Sequence, residues 1–168
     1  GLIINPYPQK LFMLRSLPVD ITKGVKRVGE AKNYAEELGF VKHAKKGVKL
    51  TIKFDELANE ISGAYQLVIN GNAIEIVADG DAGAFYAIQT LRQIVESPIS
   101  AEGKLPAMSI SDWPDLKYRG VVEGFYGEPW SHETRLSLID FYGRFKMNYY
   151  IYGPKDRSEE HTSELQSP

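Results

Sequence analysis

The sequence predicts an α/β protein in two parts, a mixed sheet with covering helices and then a strand-helix-strand unit. Polar and apolar residues alternate through Val48–Phe54 and Tyr65–Ile69, which is the period of half-buried strands. A helical spacing of apolar residues follows over residues 84–95. A strand, a helix and a further strand are predicted between residues 118 and 152. Strands that alternate with helices are typical of the α/β class.

The first part, residues 1–100, is predicted to open with an extended segment through Leu11 and Phe12, which nearby prolines keep out of a helix. Apolar residues at i, i+3 spacing, ended by Gly39, predict a helix over Lys23–Leu38. Asn70-Gly71 suits a tight type I′ turn, so we expect a hairpin there. The sheet is then covered by a helix whose apolar face comprises Ala84, Ile88, Leu91 and Val95.

Residues 101–114 are predicted as a linker, because the segment begins polar and contains Pro106 and Pro114, which favour an extended chain. The second part, residues 115–156, is predicted as a strand over residues 118–124, a loop, a helix over residues 131–144 and a strand over residues 147–152. Ser131 suits the N-cap of that helix. Parallel strands joined by a helix place the loops that follow them at one end of the sheet.

The ends of the sequence carry separate expectations. Residues 157–168, RSEEHTSELQSP, are polar without periodicity and resemble the translation of a common short-read sequencing adapter. We therefore expect the natural protein to depart from this sequence after Asp156, with a natural disordered tail as the alternative. Because the chain starts at Gly1, upstream sequence is expected to be missing and localisation is left open. A bacterial source would favour a secreted or periplasmic protein.

Composition excludes several classes of function. The 168 residues are 43% hydrophobic and 25% charged, as in a soluble globular protein, and the absence of cysteine excludes thiolate nucleophiles and cysteine-ligated zinc. A net charge of −2 does not suggest nucleic acid as a partner, and no apolar run reaches the about 18 residues of a membrane span. One local basic cluster is interpreted as a solvated loop and strand entry, since no aromatic residues are interleaved to stack on bases: Lys42, His43, Lys45, Lys46 and Lys49.

Two clusters follow the carboxyl ends of the predicted parallel strands, EGFYGEPW over residues 123–130 and YGPKD over residues 152–156. Enzymes of the barrel type bind substrate at that end of their strands. Gly124 lets a ligand approach the backbone, the ring of Tyr126 offers an apolar face to a sugar ring, and Lys155 adds a donor. The same residues also fit turns, core and surface, and the residues alone leave the two interpretations equal.

The segments RGVVEGFYGEPW, residues 119–130, and FYGRFKMNYYIYGPKD, residues 141–156, closely resemble glycoside hydrolase family 84. This family comprises β-N-acetylglucosaminidases, including O-GlcNAcases and bacterial relatives labelled hyaluronidases. The segment GAFYAIQTLRQIV, residues 83–95, resembles the α/β domain that precedes the barrel in this family and in family 20 hexosaminidases. The resemblance implies that residues 115–156 are the first βαβ portion of a truncated TIM (β/α)8 barrel.

The resemblance also implies the site and the mechanism. The backbone at Gly124, the hydroxyl of Tyr126 and the ammonium of Lys155 are expected to contact N-acetylglucosamine, while Glu123 and Asp156 are expected to be structural partners. The implied mechanism is substrate-assisted and retaining, an exception to the usual two-carboxylate scheme. It uses two adjacent aspartates that this chain lacks, so no catalytic residue is assigned and the fragment itself is expected to be inactive.

No metal or other cofactor is predicted, because His132 and Glu133 are sequence neighbours and lack the i, i+4 histidine spacing of a helical zinc site. The predicted partner is a glycan or glycoprotein that contains N-acetylglucosamine, and the oligomeric state is not predicted. Two alternatives stay open. One is a non-catalytic carbohydrate-binding or interaction module, and the other is a fragment of a family 20 β-hexosaminidase, which would carry an Asp-Glu pair instead.

Overall fold

The computed structural model describes residues 1–117, 119–125, 131–154 and 161–164. The chain divides into two compact units, one over Gly1–Asp115 and one that begins at Leu116. The strands of the first unit are β1 (Lys10–Met13), β2 (Val19–Asp20), β3 (Val25–Gly29), β4 (Val48–Phe54), β5 (Tyr65–Asn70), β6 (Ala73–Ala78), β7 (Lys104–Leu105) and β8 (Met108–Asp112). Its helices are α1 (Asp81–Glu96) and two 3-10 helices, Glu30–Tyr34 and Pro98–Ser100. The second unit contains β9 (Gly120–Phe125), α2 (His132–Arg144), β10 (Tyr149–Pro154) and β11 (His161–Glu164).

Six strands of the first unit form a mixed sheet in the order β1-β8-β5-β6-β4-β3. The β3–β4 and β4–β6 pairs are parallel, and the remaining pairs are antiparallel. The predicted β5–β6 hairpin is confirmed. Its turn residues are Gly71 and Asn72, with φ of 57° and 60°, so the turn lies one residue beyond the predicted Asn70-Gly71.

The core of the first unit lies between one face of this sheet and α1. Alternate strand residues point to that face, and Leu50, Ile52, Leu67 and Ile69 are fully buried. Helix α1 contacts β5 and β6 and buries Ala84, Ile88, Leu91 and Ile94. Burying one such aliphatic side chain contributes about 1.5–3 kcal/mol, so this two-layer core is the main source of stability in the unit.

The helix predicted over Lys23–Leu38 is wrong, because the chain forms β3 and then a 3-10 helix. Gly24 and Gly29 have φ of +94° and +64°, and a Cβ atom there would lie 2.7 Å and 2.8 Å from backbone oxygens of Lys42 and Ile52. The chain therefore turns at both glycines, and β3 joins the edge of β4. The misleading i, i+3 spacing arises partly because Ala31 and Tyr34, both buried, lie one 3-10 turn apart.

Residues 101–114, expected as a linker, instead carry β7 and β8. Strand β8 lies between β1 and β5, and its Met108 and Ile110 are completely buried. The first compact unit accordingly extends to Asp115. The sequence did not predict this strand, because flanking prolines such as Pro106 and Pro114 are as common beside a loop as beside a short strand.

The second unit confirms the predicted strand-helix-strand pattern. Strands β9 and β10 form a parallel pair, and α2 connects them along the chain. Strand β11, residues 161–164, pairs antiparallel with β10, although the sequence predicted a polar tail there. The rest of that tail, residues 157–160 and 165–168, lies outside the described residues. No helix in the described part of the chain is long and apolar enough to cross a membrane.

Candidate functional site

The carboxyl ends of β9 and β10 lie side by side. Gly124 is opposite Gly153, and Phe125 is opposite Pro154 at the last rung of the ladder. Neighbouring strands lie about 4.8 Å apart, so the paired glycines form a short stretch of sheet edge without side chains. A ligand can approach the backbone closely at such a place, because neither glycine carries a side chain.

Only some of the site residues predicted from the sequence belong to the described part of the chain. Gly124 is the penultimate residue of β9, and Glu123 lies opposite Tyr152 in the same ladder. Tyr126 and Lys155 come directly after β9 and β10 in the chain and lie outside the described residues, as does Asp156. Their contact with a sugar therefore stays a prediction.

Gly153 is a residue that sequence reasoning missed. Its signal was its position near the end of the second strand, which matches the position of Gly124 near the end of the first. The parallel register converts these equivalent positions into direct neighbours. Only the register could show this, because a shift of one residue would have placed a different residue opposite Gly124.

The amino ends of the same strands are joined by Arg119 and Asn148. The Asn148 side chain accepts a hydrogen bond of 2.7 Å from the Arg119 backbone N–H and donates one of 2.8 Å to the carbonyl of Lys117. The Asn148 backbone N–H donates to the carbonyl of Arg119, and the Arg119 guanidinium donates to the carbonyls of Lys146 and Leu116. This network ties the entry of β10 to the entry of β9, and so supports the register at the other end.

Helix α2 is defined at both of its ends. The Ser131 hydroxyl accepts a hydrogen bond of 3.1 Å from the Thr134 backbone N–H, which confirms the predicted N-cap. At the other end Lys146 has φ of 63°, and the backbone N–H groups of Lys146 and Met147 donate to the carbonyls of Gly143 and Tyr142. These two bonds form a Schellman motif, which reverses the chain into β10.

Shifted pKa values occur in the first unit and mark structural hydrogen bonds. Burial, and next the carboxylate of Asp112, raise the pKa of Tyr65 well above its ordinary value of 10.0. Burial and a hydrogen bond to Asp81 likewise raise the pKa of Tyr34. The two residues are 1% and 3% exposed, and each hydroxyl is held by a hydrogen bond within the first unit.

The described residues contain no group of three or more His, Asp or Glu side chains that could hold a metal ion. His132 and Glu133 are both exposed in the first turn of α2.

Comparison with known families divides the chain at the same point as its two compact units. Residues 16–113 match the family described as glycosyl hydrolase family 20, domain 2. Residues 119–164 match the family described as beta-N-acetylglucosaminidase, and this second match contains β9, α2, β10 and β11.

Two individual relatives each match a part of this chain. N,N'-diacetylchitobiase of Vibrio harveyi is 36% identical over 103 residues, which are 60% of this chain and 11% of the relative. Protein O-GlcNAcase of Rattus norvegicus is 51% identical over 37 residues, which are 22% of this chain and 4% of the relative. The chain thus spans about a tenth of the length of the first of these relatives and a smaller share of the second.

Among solved structures, that of CpGH84B superimposes with a TM-score of 0.76 at 32% sequence identity. The match covers 93% of this chain and 30% of the other. The similarity therefore extends across both compact units.

Proposed function

This chain belongs to the family of glycosyl hydrolase family 20 domain 2, and on that premise we propose that it is part of a glycoside hydrolase that removes terminal β-linked N-acetylglucosamine. The observation that carries the proposal is the in-register pair Gly124 and Gly153 at the carboxyl ends of β9 and β10. It lies within the residues that match the beta-N-acetylglucosaminidase family. A sugar ring packed there would meet backbone instead of side chains.

In this proposal three residues bind the sugar: the backbone at Gly124, the Tyr126 hydroxyl and the Lys155 ammonium. N-acetylglucosamine carries several hydroxyls and an acetamido group, and each needs a hydrogen-bond partner when water is displaced. A hydroxyl can both donate and accept, whereas an ammonium only donates. The parallel pairing up to Phe125 and Pro154 supports a shared location, because Tyr126 and Lys155 come directly after these two residues in the sequence.

We assign β9, α2 and β10, within residues 115–156, to the start of a TIM barrel. Parallel strands joined by a helix are its repeating unit, and the substrates of such barrels bind at the carboxyl ends of the strands. The α/β unit before it corresponds to the domain that precedes the barrel.

Two families compete for the catalytic assignment. The resemblance of residues 119–130 and 141–156 and the similarity to CpGH84B favour family 84, whereas the match over residues 16–113 fits family 20. We propose family 84, with a substrate-assisted retaining mechanism that uses two adjacent aspartates. A gene that encodes an Asp-Glu pair in place of Asp-Asp in the barrel would transfer the assignment to family 20.

The site is tested by an NMR titration of the 168-residue chain with N-acetylglucosamine. We expect chemical-shift changes at the amides of residues 121–125 and 149–153. Tyr126→Phe and Lys155→Met should each weaken binding by about tenfold, because each removes one hydrogen-bonding group from the bound sugar. The matched control is Tyr7→Phe, since Tyr7 is 68% exposed and lies in the first unit. Shifts confined to the first unit, or equal affinity in all variants, would contradict the proposal.

A fluorogenic N-acetylglucosaminide tests the catalytic part separately. No two aspartates are adjacent in the printed sequence, so we expect this chain to bind the sugar without hydrolysing it. Turnover by the purified chain would show that the catalytic groups lie within these 168 residues, and the mechanism would have to be reassigned.

A further inference from the structure

A group of lysines gathers where β3 and β4 begin, in the first unit. We call these residues the lysine corner: Lys26, Lys42, Lys45, Lys46 and Lys49. We propose that the lysine corner binds an acidic linear glycan, one that carries a carboxylate or sulfate group in each repeat. The inference rests on the proposed function only in its choice of a glycan as the polyanion.

The parallel register brings the corner together. Lys26 on β3 lies directly opposite Lys49 on β4. The segment that contains Lys42 runs beside β3, because Val25 donates a hydrogen bond of 2.8 Å to the carbonyl of Lys42 and accepts one of 2.9 Å from Ala44. The turn that follows holds Lys45 and Lys46 and closes with a 3.0 Å bond from Gly47 to Ala44. Two stretches of sequence, residues 25–29 and 42–49, thus meet at one edge of the sheet.

All five lysines are exposed. Lys49 lies between the buried Val48 and Leu50, so its side chain projects from the sheet face opposite to α1. Lys53, further along β4, lies on the same face of the sheet as Lys49 and is also exposed. The nearest carboxylate by register is that of Glu75, which lies opposite Thr51, between Lys49 and Lys53.

The pairing of Lys26 with Lys49 is unfavourable in the isolated chain. Like charges directly opposite each other on neighbouring strands repel, and neither side chain has a salt bridge in the described part of the chain. The exposed ammonium groups on these neighbouring segments therefore add their positive potentials at this edge. A polyanion that lies along the corner relieves this repulsion, which is why we assign a binding role to it.

The composition of the corner favours an acidic glycan over other polyanions. The segments that carry these lysines contain no phenylalanine, tyrosine or tryptophan to stack on nucleic-acid bases. Arg27, next to Lys26, lies opposite the buried Leu50 and so belongs to the other face of the sheet, which leaves the corner without an arginine to bind phosphate through two parallel bonds. The turn at Ala44–Gly47 presents no large apolar side chain for insertion into a membrane surface. Separate lysine charges along a strand instead suit carboxylates or sulfates that recur along one sugar chain.

The test is calorimetric titration of the full chain with an oligosaccharide of alternating N-acetylglucosamine and glucuronic acid. A neutral oligomer of N-acetylglucosamine, a single-stranded oligonucleotide of equal charge and anionic phospholipid vesicles are titrated in parallel. We expect the acidic oligosaccharide to bind best and its affinity to fall as salt is raised. Equal affinity for the neutral oligomer, or tighter binding of the oligonucleotide or the vesicles, would overturn the proposal.

Two double variants test whether the acidic oligosaccharide binds at the lysine corner. Lys26→Gln with Lys49→Gln should raise the Kd for the acidic oligosaccharide at least about fivefold, while thermal stability without ligand stays the same or rises. The control exchanges two other exposed lysines, Lys10→Gln with Lys32→Gln, and should leave the Kd unchanged. An unchanged Kd in the Lys26/Lys49 variant rejects the inference.

Amide shifts separate this inference from the proposed function. The acidic oligosaccharide should shift amides of residues 42–49, and free N-acetylglucosamine should shift those of residues 121–125. Loss of only the first response would reject the lysine corner and leave the proposed function standing. Loss of only the second would reject the proposed function and leave a polyanion site.

Discussion

The hydroxyl of Tyr65 donates a hydrogen bond of 3.0 Å to the carboxylate of Asp112, and it lies 2.5 Å from the hydroxyl of Thr90. The first bond joins residues that are opposite each other on β5 and β8. The second joins the sheet to α1. Asp112 also accepts bonds of 3.1 Å from the Gln9 N–H and 3.0 Å from the Trp113 N–H. One buried phenol therefore connects the helix, the sheet and the end of β8.

Tyr65→Phe should lower the free energy of unfolding by about 1–3 kcal/mol, because it leaves the buried Thr90 hydroxyl without this partner and removes a donor from Asp112. Urea unfolding followed by circular dichroism measures the change. Tyr7→Phe removes an equivalent hydroxyl from a side chain that is 68% exposed and should have no effect. Equal stability of the two variants would show that the hydroxyl of Tyr65 is not a net stabilising group.

Gly83→Ala should destabilise the first unit by about 1–3 kcal/mol, as overpacking of a filled site does. A Cβ atom at Gly83 would lie 2.3 Å from the carbonyl oxygen of Ala64 and 2.7 Å from the Asp79 carboxylate. This clash outweighs the up to about 1 kcal/mol that alanine gains over glycine within a helix.

Gly80→Ala is the matched control for Gly83. No atom lies within 4 Å of a Cβ at Gly80, and its φ of 164° is extended backbone that alanine adopts. Thermal melts should show a lower Tm for Gly83→Ala and little change for Gly80→Ala. A similar loss in both variants would mean that flexibility at the start of α1, and not close packing, requires these glycines.

Stability should fall in alkaline solution through Tyr34 and Tyr65. Burial raises the pKa of both in the folded chain above the ordinary value of 10.0, so the unfolded chain loses these protons first. Their contribution is therefore complete below about pH 10 and decreases as the pH rises above it. Urea unfolding at pH values on both sides of 10 should show the decrease.

Tyr34→Phe should make that decrease less steep, since one of the two raised groups is gone. Tyr7→Phe provides the control, because it removes an exposed tyrosine. Absorbance at alkaline pH should show that the folded chain ionises fewer tyrosines than the urea-unfolded chain. Full ionisation of the folded chain near pH 10 would be inconsistent with the raised pKa values of Tyr34 and Tyr65.

Ser131→Ala should destabilise α2 by about 1 kcal/mol, because the Thr134 N–H then loses its cap. Ser137→Ala changes an exposed serine inside the same helix and should be neutral or slightly stabilising. Hydrogen exchange at the amides of α2 measures both. Equal protection in the two variants would indicate that solvent replaces the cap without cost.

Local patterns in the sequence determined the β5–β6 hairpin, the helix α1 and the cap at Ser131. In each case the information lies within a few residues. An Asn-Gly-Asn turn between two alternating strands, apolar residues at helical spacing, or a serine before a helical run specify one local geometry. The parallel arrangement of β9 and β10 was also predictable, since a connecting helix imposes it.

Tertiary structure alone decided the position of β3, the place of β8 in the sheet, and two neighbour pairs, Gly124 with Gly153 and Lys26 with Lys49. The apolar spacing over Lys23–Leu38 fits a helix until the close approach of Gly24 and Gly29 to other backbone is known. Strand β8 is short and lies between two prolines, so its sequence alone does not predict a strand. Its pairing with β1 and β5 defines it. Both neighbour pairs depend on strand register, which is set by contacts between segments far apart in sequence, and no local pattern carries that information.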